Sequence, residues 1–299
     1  MTKKEKAGFL FRVYRKKSSS LLLNLYKAGI TGLEDDIHKA RTDVKKIRAF
    51  YSFLEVLNPD NFNKESYNQV LKSLFNQAGK LREVQVNLMI LEQYGTHTDE
   101  EHSFRLFLQE EEKILAGKFL DAIRDYDEKQ IISKEKEIRK FMAELEPGSF
   151  SRNVDKFVRK KSAKILTILP EIRDTEALHK IRKHLKTISS ILDVSIRCSH
   201  EPNDAPKELH SEIVSVETLI GACHDNIIFL NAIKSYRKAI STSPADSDTV
   251  LLPIESKVNM ENDELVTRLE KMINALIVDS ILSKPRWNWP IIEFQNGRE

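Results

Sequence analysis

The sequence predicts an all-α protein, two antiparallel helical bundles of about four helices each, related by a pseudo-two-fold axis and enclosing a basic central groove. Three observations predict it. With 31% charged residues, 40% hydrophobic residues and only 9 Gly and 9 Pro in 299, the composition favours helices over strands. Apolar residues recur at three- and four-residue steps through most of the chain. The second half, finally, repeats the first at a nearly constant offset.

The first helix is expected over 5–28, where Phe11, Tyr14, Ser18, Leu21 and Leu25 share a face, and Gly29 and Gly32 end it. The acidic turn Glu34 to Asp36 suits the positive end of a helix dipole and opens a second helix, which runs to about Leu57 and stops before Asn58-Pro59. A third, about 64–94, carries Val70, Leu74, Leu81, Val84, Leu88 and Leu91 and closes at Gly95. The fourth, about 99–128, is amphipathic, with Glu110 to Glu112 on a solvated face. A shorter helix, about 133–145, leads into Glu146-Pro147-Gly148-Ser149, the strongest boundary signal in the chain.

Beyond that boundary the pattern starts again. Val158-Arg159-Lys160-Lys161-Ser162 matches Tyr14-Arg15-Lys16-Lys17-Ser18 at an offset of 144, and Leu178-His179-Lys180-Ile181-Arg182 matches Ile37-His38-Lys39-Ala40-Arg41 at 141. Gly221 and Asp225 match Gly79 and Glu83 at 142. A single domain covering 1–299 is therefore expected, with repeat one at about 5–146 and repeat two at about 150–282. Residues 242–258, with Pro244 and Pro253, read as a loop, 261–281 as the last helix, and 283–299 as a tail anchored by Trp287 and Trp289.

The most informative stretch is Ile37 to Tyr51. At roughly 100° per residue, His38, Arg41, Lys45 and Arg48 fall within a stripe about 80° wide. Ile37, Ala40, Val44, Ile47, Tyr51 and Leu54 form an apolar stripe directly beside it. A surface helix ordinarily turns its charges away from the core, so cations that flank the packing seam line a groove between helices. His179, Arg182 and Lys186 repeat the arrangement beside Leu178, Ile181, Leu185, Ile188 and Leu192, with Ser189 in place of Arg48. Charge is distributed to match: residues 1–50 hold 13 Lys/Arg against 5 Asp/Glu, in a chain whose formal net charge is only +3.

Cys198 and Cys223 make neither a disulfide framework nor a four-ligand metal site and read as buried thiols. No segment approaches about 18 uninterrupted apolar residues, and the N-terminus lacks a signal peptide's apolar core. The sequence thus reads as a cytoplasmic protein with no membrane contact, cofactor or metal.

Together, His38-x-x-Arg41-x-x-x-Lys45-Lys46-x-Arg48, its partner His179-x-x-Arg182-Lys183-x-x-Lys186, Gly79-Lys80-Leu81-Arg82-Glu83 and Gly221-x-x-x-Asp225 resemble the CHAD domain, the conserved histidine α-helical domain. The resemblance covers essentially the whole chain. It implies the family's paired helical bundles and non-enzymatic binding of inorganic polyphosphate in a basic central cavity. The ligands it implies are His38, Arg41, Lys45, Lys46, Arg48 and Arg82 in the first repeat, and His179, Arg182, Lys183 and Lys186 in the second. Arg15 and Arg159, at matching places on the first helix of each repeat, are further candidates. Ser189 and Ser190 depart from the family's basic and aromatic pair, and His224 stands opposite Arg82, so Arg41, Lys45 and Arg48 are expected to contribute most.

The physics agrees with that expectation. Cations one helical turn apart contact successive phosphates and release counterions; arginine grips two oxygens, lysine acts as a point charge, and histidine binds better below its usual pKa of roughly 6.5. A structural role for His38 and His179 stands beside ligand contact, and His97, His102, His200 and His210 show no partner pattern. Two other functions compete. Nucleic-acid backbones would suit a basic groove, but exposed aromatics for base stacking are not interleaved with the cations. A metal-dependent phosphohydrolase would use His179 and His224-Asp225, but no carboxylate-rich cluster, P-loop or nucleophile elbow accompanies them. The expected partner is polyphosphate, with polyphosphate bodies as the associated location; the sequence leaves the oligomeric state open.

Overall fold

The computed structural model describes residues 3–95, 98–144, 150–197, 204–240 and 251–283, and among these every regular element is helical. The all-α expectation therefore holds. Helix α1 spans Lys3–Thr31 and α2 spans Glu34–Leu57. Gly29 stays helical, and it is Gly32, at φ +60°, that turns the chain while its N–H bonds to the Ala28 carbonyl at 3.0 Å. Glu34, Asp35 and Asp36 occupy the first turn of α2, and its end before Pro59 is closed by Asn58 N–H on the Leu54 carbonyl.

The single helix expected over 64–94 is interrupted. A short α3, Lys64–Asn68, is capped by the Asn63 side chain and passes through a 3-10 turn, Gln69–Leu71, into α4, Lys72–Tyr94. No Gly or Pro announces the break. Next come α5, Asp99–Arg124, capped by Thr98, and α6, Glu128–Glu144. The latter starts about five residues earlier than the apolar pattern predicts, because Asp127 Oδ1 accepts from the Lys129 N–H at 3.0 Å and so supplies a helix N-terminus there.

In the second half α7 is Phe150–Ile168, α8 is Thr175–Arg197 and α9 is Asp204–Ile240. Asp174 starts α8, its carboxylate accepting from Ala177 N–H at 2.9 Å. The loop expected over 242–258 is corrected in part: α10, Leu252–Ala275, begins inside it. Pro253 sits in the first turn, where a proline's missing N–H costs nothing. A π-helical turn, Leu276–Leu282, continues α10. The boundary at Glu146 to Ser149, Cys198, His97, His200, Trp287 and Trp289 lie outside the described residues.

Four helices close a ring at the centre. α2 packs on α4 and α8, and α9 packs on the same two. Outside the ring, α1 lies on α2 with α6 against it, α5 covers α4, α7 covers α8 and touches α2, and α10 lies on α9. Ile47, Phe50, Phe53 and Leu54 of α2 and Ile181, Leu185, Ile188 and Ile191 of α8 belong to one continuous buried cluster, so the apolar stripes pack as their spacing requires. Helix α9 contains a window apolar enough by composition to cross a membrane. In this fold its Ile213, Val216, Ile220, Phe229 and Ile233 are buried within the bundle.

Candidate functional site

The ring brings together one charged face from each of its helices. From α2 come His38, Arg41 and Lys45; from α8, His179, Arg182 and Lys186; from α4, Arg82 and Glu83; and from α9, Glu217, His224 and Asp225. On α2 and α8 the sets recur at three- and four-residue steps, which places each on one face of its helix, and the apolar stripes beside them fix how the two helices are rotated.

The electrostatics show that these charges share one space. Burial lowers Lys45 to about 7, and Arg41, Lys186, Arg182 and Arg82 add to the effect. Burial also lowers Lys186, to about 8, with Arg182 adding to it and Glu217 opposing it. Water still reaches both lysines. The guanidinium groups of Arg41 and Arg182 are lowered for the same first reason, burial, and each feels Glu83 and Asp225.

Three carboxylates sit among these cations. Glu83, Asp225 and Glu217 are all raised by burial, which outweighs the nearby arginines and lysines. His224 is lowered to about 4 by burial, then by Arg182, His179 and Lys186; its ring centroid lies 6.1 Å from that of His179. His38 is lowered by burial and then by Arg82, Arg41 and Lys45. Arg41 Nε and Arg182 Nε, on neighbouring helices, are both buried with no hydrogen-bond partner among the described residues.

The other residues singled out in the sequence stand elsewhere. Arg82 reaches the seam electrostatically while its Nη1 donates to Glu34 at 3.2 Å. Arg48 lies over the Phe75 ring at 4.0 Å, and the charge acting most on it is Glu65 of α3. Lys46 points to α1, bonding Asp43 at 3.0 Å beside Ser20 and Asn24. Lys183, one turn from His179 and Lys186, adds its charge to Lys161 and His184. Arg15 is largely exposed near Glu135 of α6, and Arg159 pairs with Asp155 one turn away.

Glu217 escaped the sequence reading altogether, although it lies seven residues before His224 and so on the same helical face. Glu83, His224 and Asp225 marked the repeat without being assigned to the site. Among the described residues no group of three or more His, Cys, Asp and Glu is arranged to hold a metal ion.

A family model described as the CHAD domain matches residues 23–231. Two solved structures share the fold. The crystal structure of the CHAD domain from the plant Ricinus communis is 11% identical with a TM-score of 0.69, covering 90% of this chain and 92% of that chain. PptA from Streptomyces chartreusis is 12% identical with a TM-score of 0.61, covering 92% and 98% respectively. No curated protein matches the sequence.

Proposed function

The chain belongs to the CHAD domain family, and from that premise we propose that it binds inorganic polyphosphate, without catalysis, in the charged seam enclosed by α2, α4, α8 and α9. One observation carries the reading. Arg41 and Arg182, on packed helices, each hold a buried Nε–H with no partner among the described residues. An unmet buried donor costs free energy, and on a planar guanidinium it calls for an anionic, multidentate acceptor such as a phosphate group.

The surroundings support it. Burial first, then the neighbouring cations, lower Lys45 to about 7 and Lys186 to about 8, so a polyanion entering the seam restores their full charge and gains from it. The carboxylates Glu83, Asp225 and Glu217 offset part of the repulsion among the cations when no anion is bound. A duplicated pair of helical bundles explains why two matching faces meet. A cytoplasmic location with access to polyphosphate bodies fits such a ligand.

The test is a titration against polyphosphates of graded length, with RNA and ATP as competitors at equal phosphate concentration. Arg41→Glu with Lys45→Glu removes two charge-assisted contacts and should weaken binding at least about 100-fold. Lys118→Glu with Lys129→Glu, two exposed lysines away from the seam, serves as the control. Equal loss from both pairs would reduce the seam to diffuse electrostatics, and displacement by RNA would replace polyphosphate with nucleic acid. Release of orthophosphate in Mg²⁺, Mn²⁺ or Zn²⁺, abolished by His224→Ala, would make the protein an enzyme instead.

A further inference from the structure

A second cationic cluster borders the seam where α7 packs on α8. Lys160, Lys161 and Lys164 stand on one side of α7, within roughly 100° of helix circumference. Lys183 and His184 come from α8, which α7 covers. Lys64, at the start of α3, completes the group from the first half of the chain while also pairing with Glu55 at 2.6 Å. The carboxamide of Asn153 donates to the Leu57 carbonyl at 3.0 Å, which fixes the start of α7 against the end of α2 and so holds the two halves in register here.

These charges act on one another. Lys161 is lowered by burial and then by Lys164, Lys64, Lys183 and Lys160 in that order. His184 is lowered by burial and then by Lys161, Lys164 and Lys183. Lysines on an ordinary solvated face diverge into water and pair with nearby acids. Here lysines from α3, α7 and α8 lie close enough to act together on Lys161, whose ammonium stands over the Phe157 ring at 5.5 Å.

We propose that Lys64, Lys160, Lys161, Lys164, Lys183 and His184 form a second phosphate-binding patch, which holds the part of a long polyphosphate chain that extends beyond the enclosed seam. The proposal rests on the seam reading above. Lys183 lies one turn from both His179 and Lys186 on α8, so the patch begins at the edge of the seam. A short polyphosphate fills the seam alone. A long one engages both sites, and the second engagement is intramolecular, so it raises affinity without any new partner.

Tripolyphosphate and a long-chain polyphosphate, titrated against the full chain at several salt concentrations, test this. Lys161→Gln with Lys164→Gln should weaken long-chain binding about tenfold, lower the slope of log K against log salt by roughly 1.4, and leave tripolyphosphate binding unchanged. Lys118→Gln with Lys129→Gln, which removes the same net charge elsewhere, should change neither. Wild-type affinity and slope of the patch variant for the long chain would overturn the proposal, as would equal loss for both lengths. Arg41→Glu with Lys45→Glu reports separately: if that variant keeps tripolyphosphate binding, the seam reading fails whatever the patch does.

Discussion

Binding of a polyanion in the seam should take up about one proton near pH 7.5. In the free protein Lys45 sits at about 7 and Lys186 at about 8, both lowered first by burial. At pH 7.5 that leaves about one quarter of Lys45 and three quarters of Lys186 protonated. A bound row of phosphates returns both toward the ordinary lysine value of roughly 10.4, so about one proton is absorbed per binding event. The sign follows directly. The bound state holds more protons than the free state, so affinity falls as pH rises, with a slope near −1 in log K per pH unit at pH 7.5 that steepens toward about −2 by pH 9, a total loss of roughly 500-fold between pH 7 and 9. His38 and His224, both lowered by burial and by neighbouring cations, push the same way at lower pH. Isothermal titration calorimetry at pH 7.5 in Tris and in HEPES, whose ionisation enthalpies differ, reads the proton count from the difference in heat. Lys45→Met with Lys186→Met should remove the uptake. Heats independent of buffer, with affinity flat from pH 7 to 9, would refute the reasoning.

Asp43→Ala should destabilise the fold by about 2 kcal/mol in urea denaturation, because the buried carboxylate accepts from Ser20, Asn24 and Lys46 and its loss strands those donors. Burial pushes Asp43 up, but those three bonds outweigh it and hold the carboxyl below its usual value, so its contribution is present above about pH 4 and is lost on further acidification. Gly32→Ala should cost about 1 kcal/mol at φ +60°, although a Cβ there meets nothing within 4 Å, so the loss is purely conformational. Gly79→Ala and Gly117→Ala should each stabilise their helices by about 0.5–1 kcal/mol, since neither added Cβ meets an atom within 4 Å. Only Gly79→Ala, one turn before Glu83, should weaken polyphosphate binding by narrowing the seam, and thermal melts with parallel titrations separate the two effects.

Much of this architecture is visible in the pattern of residues, and what is not has physical causes. The basic stripe on α2 and its match on α8 declare their rotation because each adjoins an apolar stripe that can face only the core. The break between α3 and α4 carries no local signal and accompanies packing around Phe62, which stacks on Tyr67 at 4.5 Å and meets Phe141 of α6, distant in sequence, at a tilt with centroids 4.8 Å apart. The start of α6 depends on one Asp127 side chain rather than on periodicity. Arg48 and Lys46 show the limit at the site. Sequence places Arg48 on the basic face, but only the fold puts Phe75 beneath its guanidinium, and only the fold gives Lys46 a buried Asp43 to pair with. Helical angle tells which way a side chain leaves its helix; it does not tell which neighbour is waiting there.

The seam itself is unequal, and in a direction that bears on binding. Every charge acting most strongly on Lys45 is a cation. For Lys186 the corresponding group includes Glu217 and Asp225, which partly compensate it. The difference traces to sequence. Opposite Arg82 the second half has His224, held largely neutral at about 4, and opposite Arg48 it has Ser189, beside which Glu217 lies. The α2 wall therefore carries the larger unrelieved repulsion, and a phosphate laid against Arg41 and Lys45 relieves more of it than one laid against Arg182 and Lys186. A polyanion drawn to the seam should therefore be held chiefly along α2. The α8 wall, partly compensated by acids, borders the lysines of α7 at Lys183.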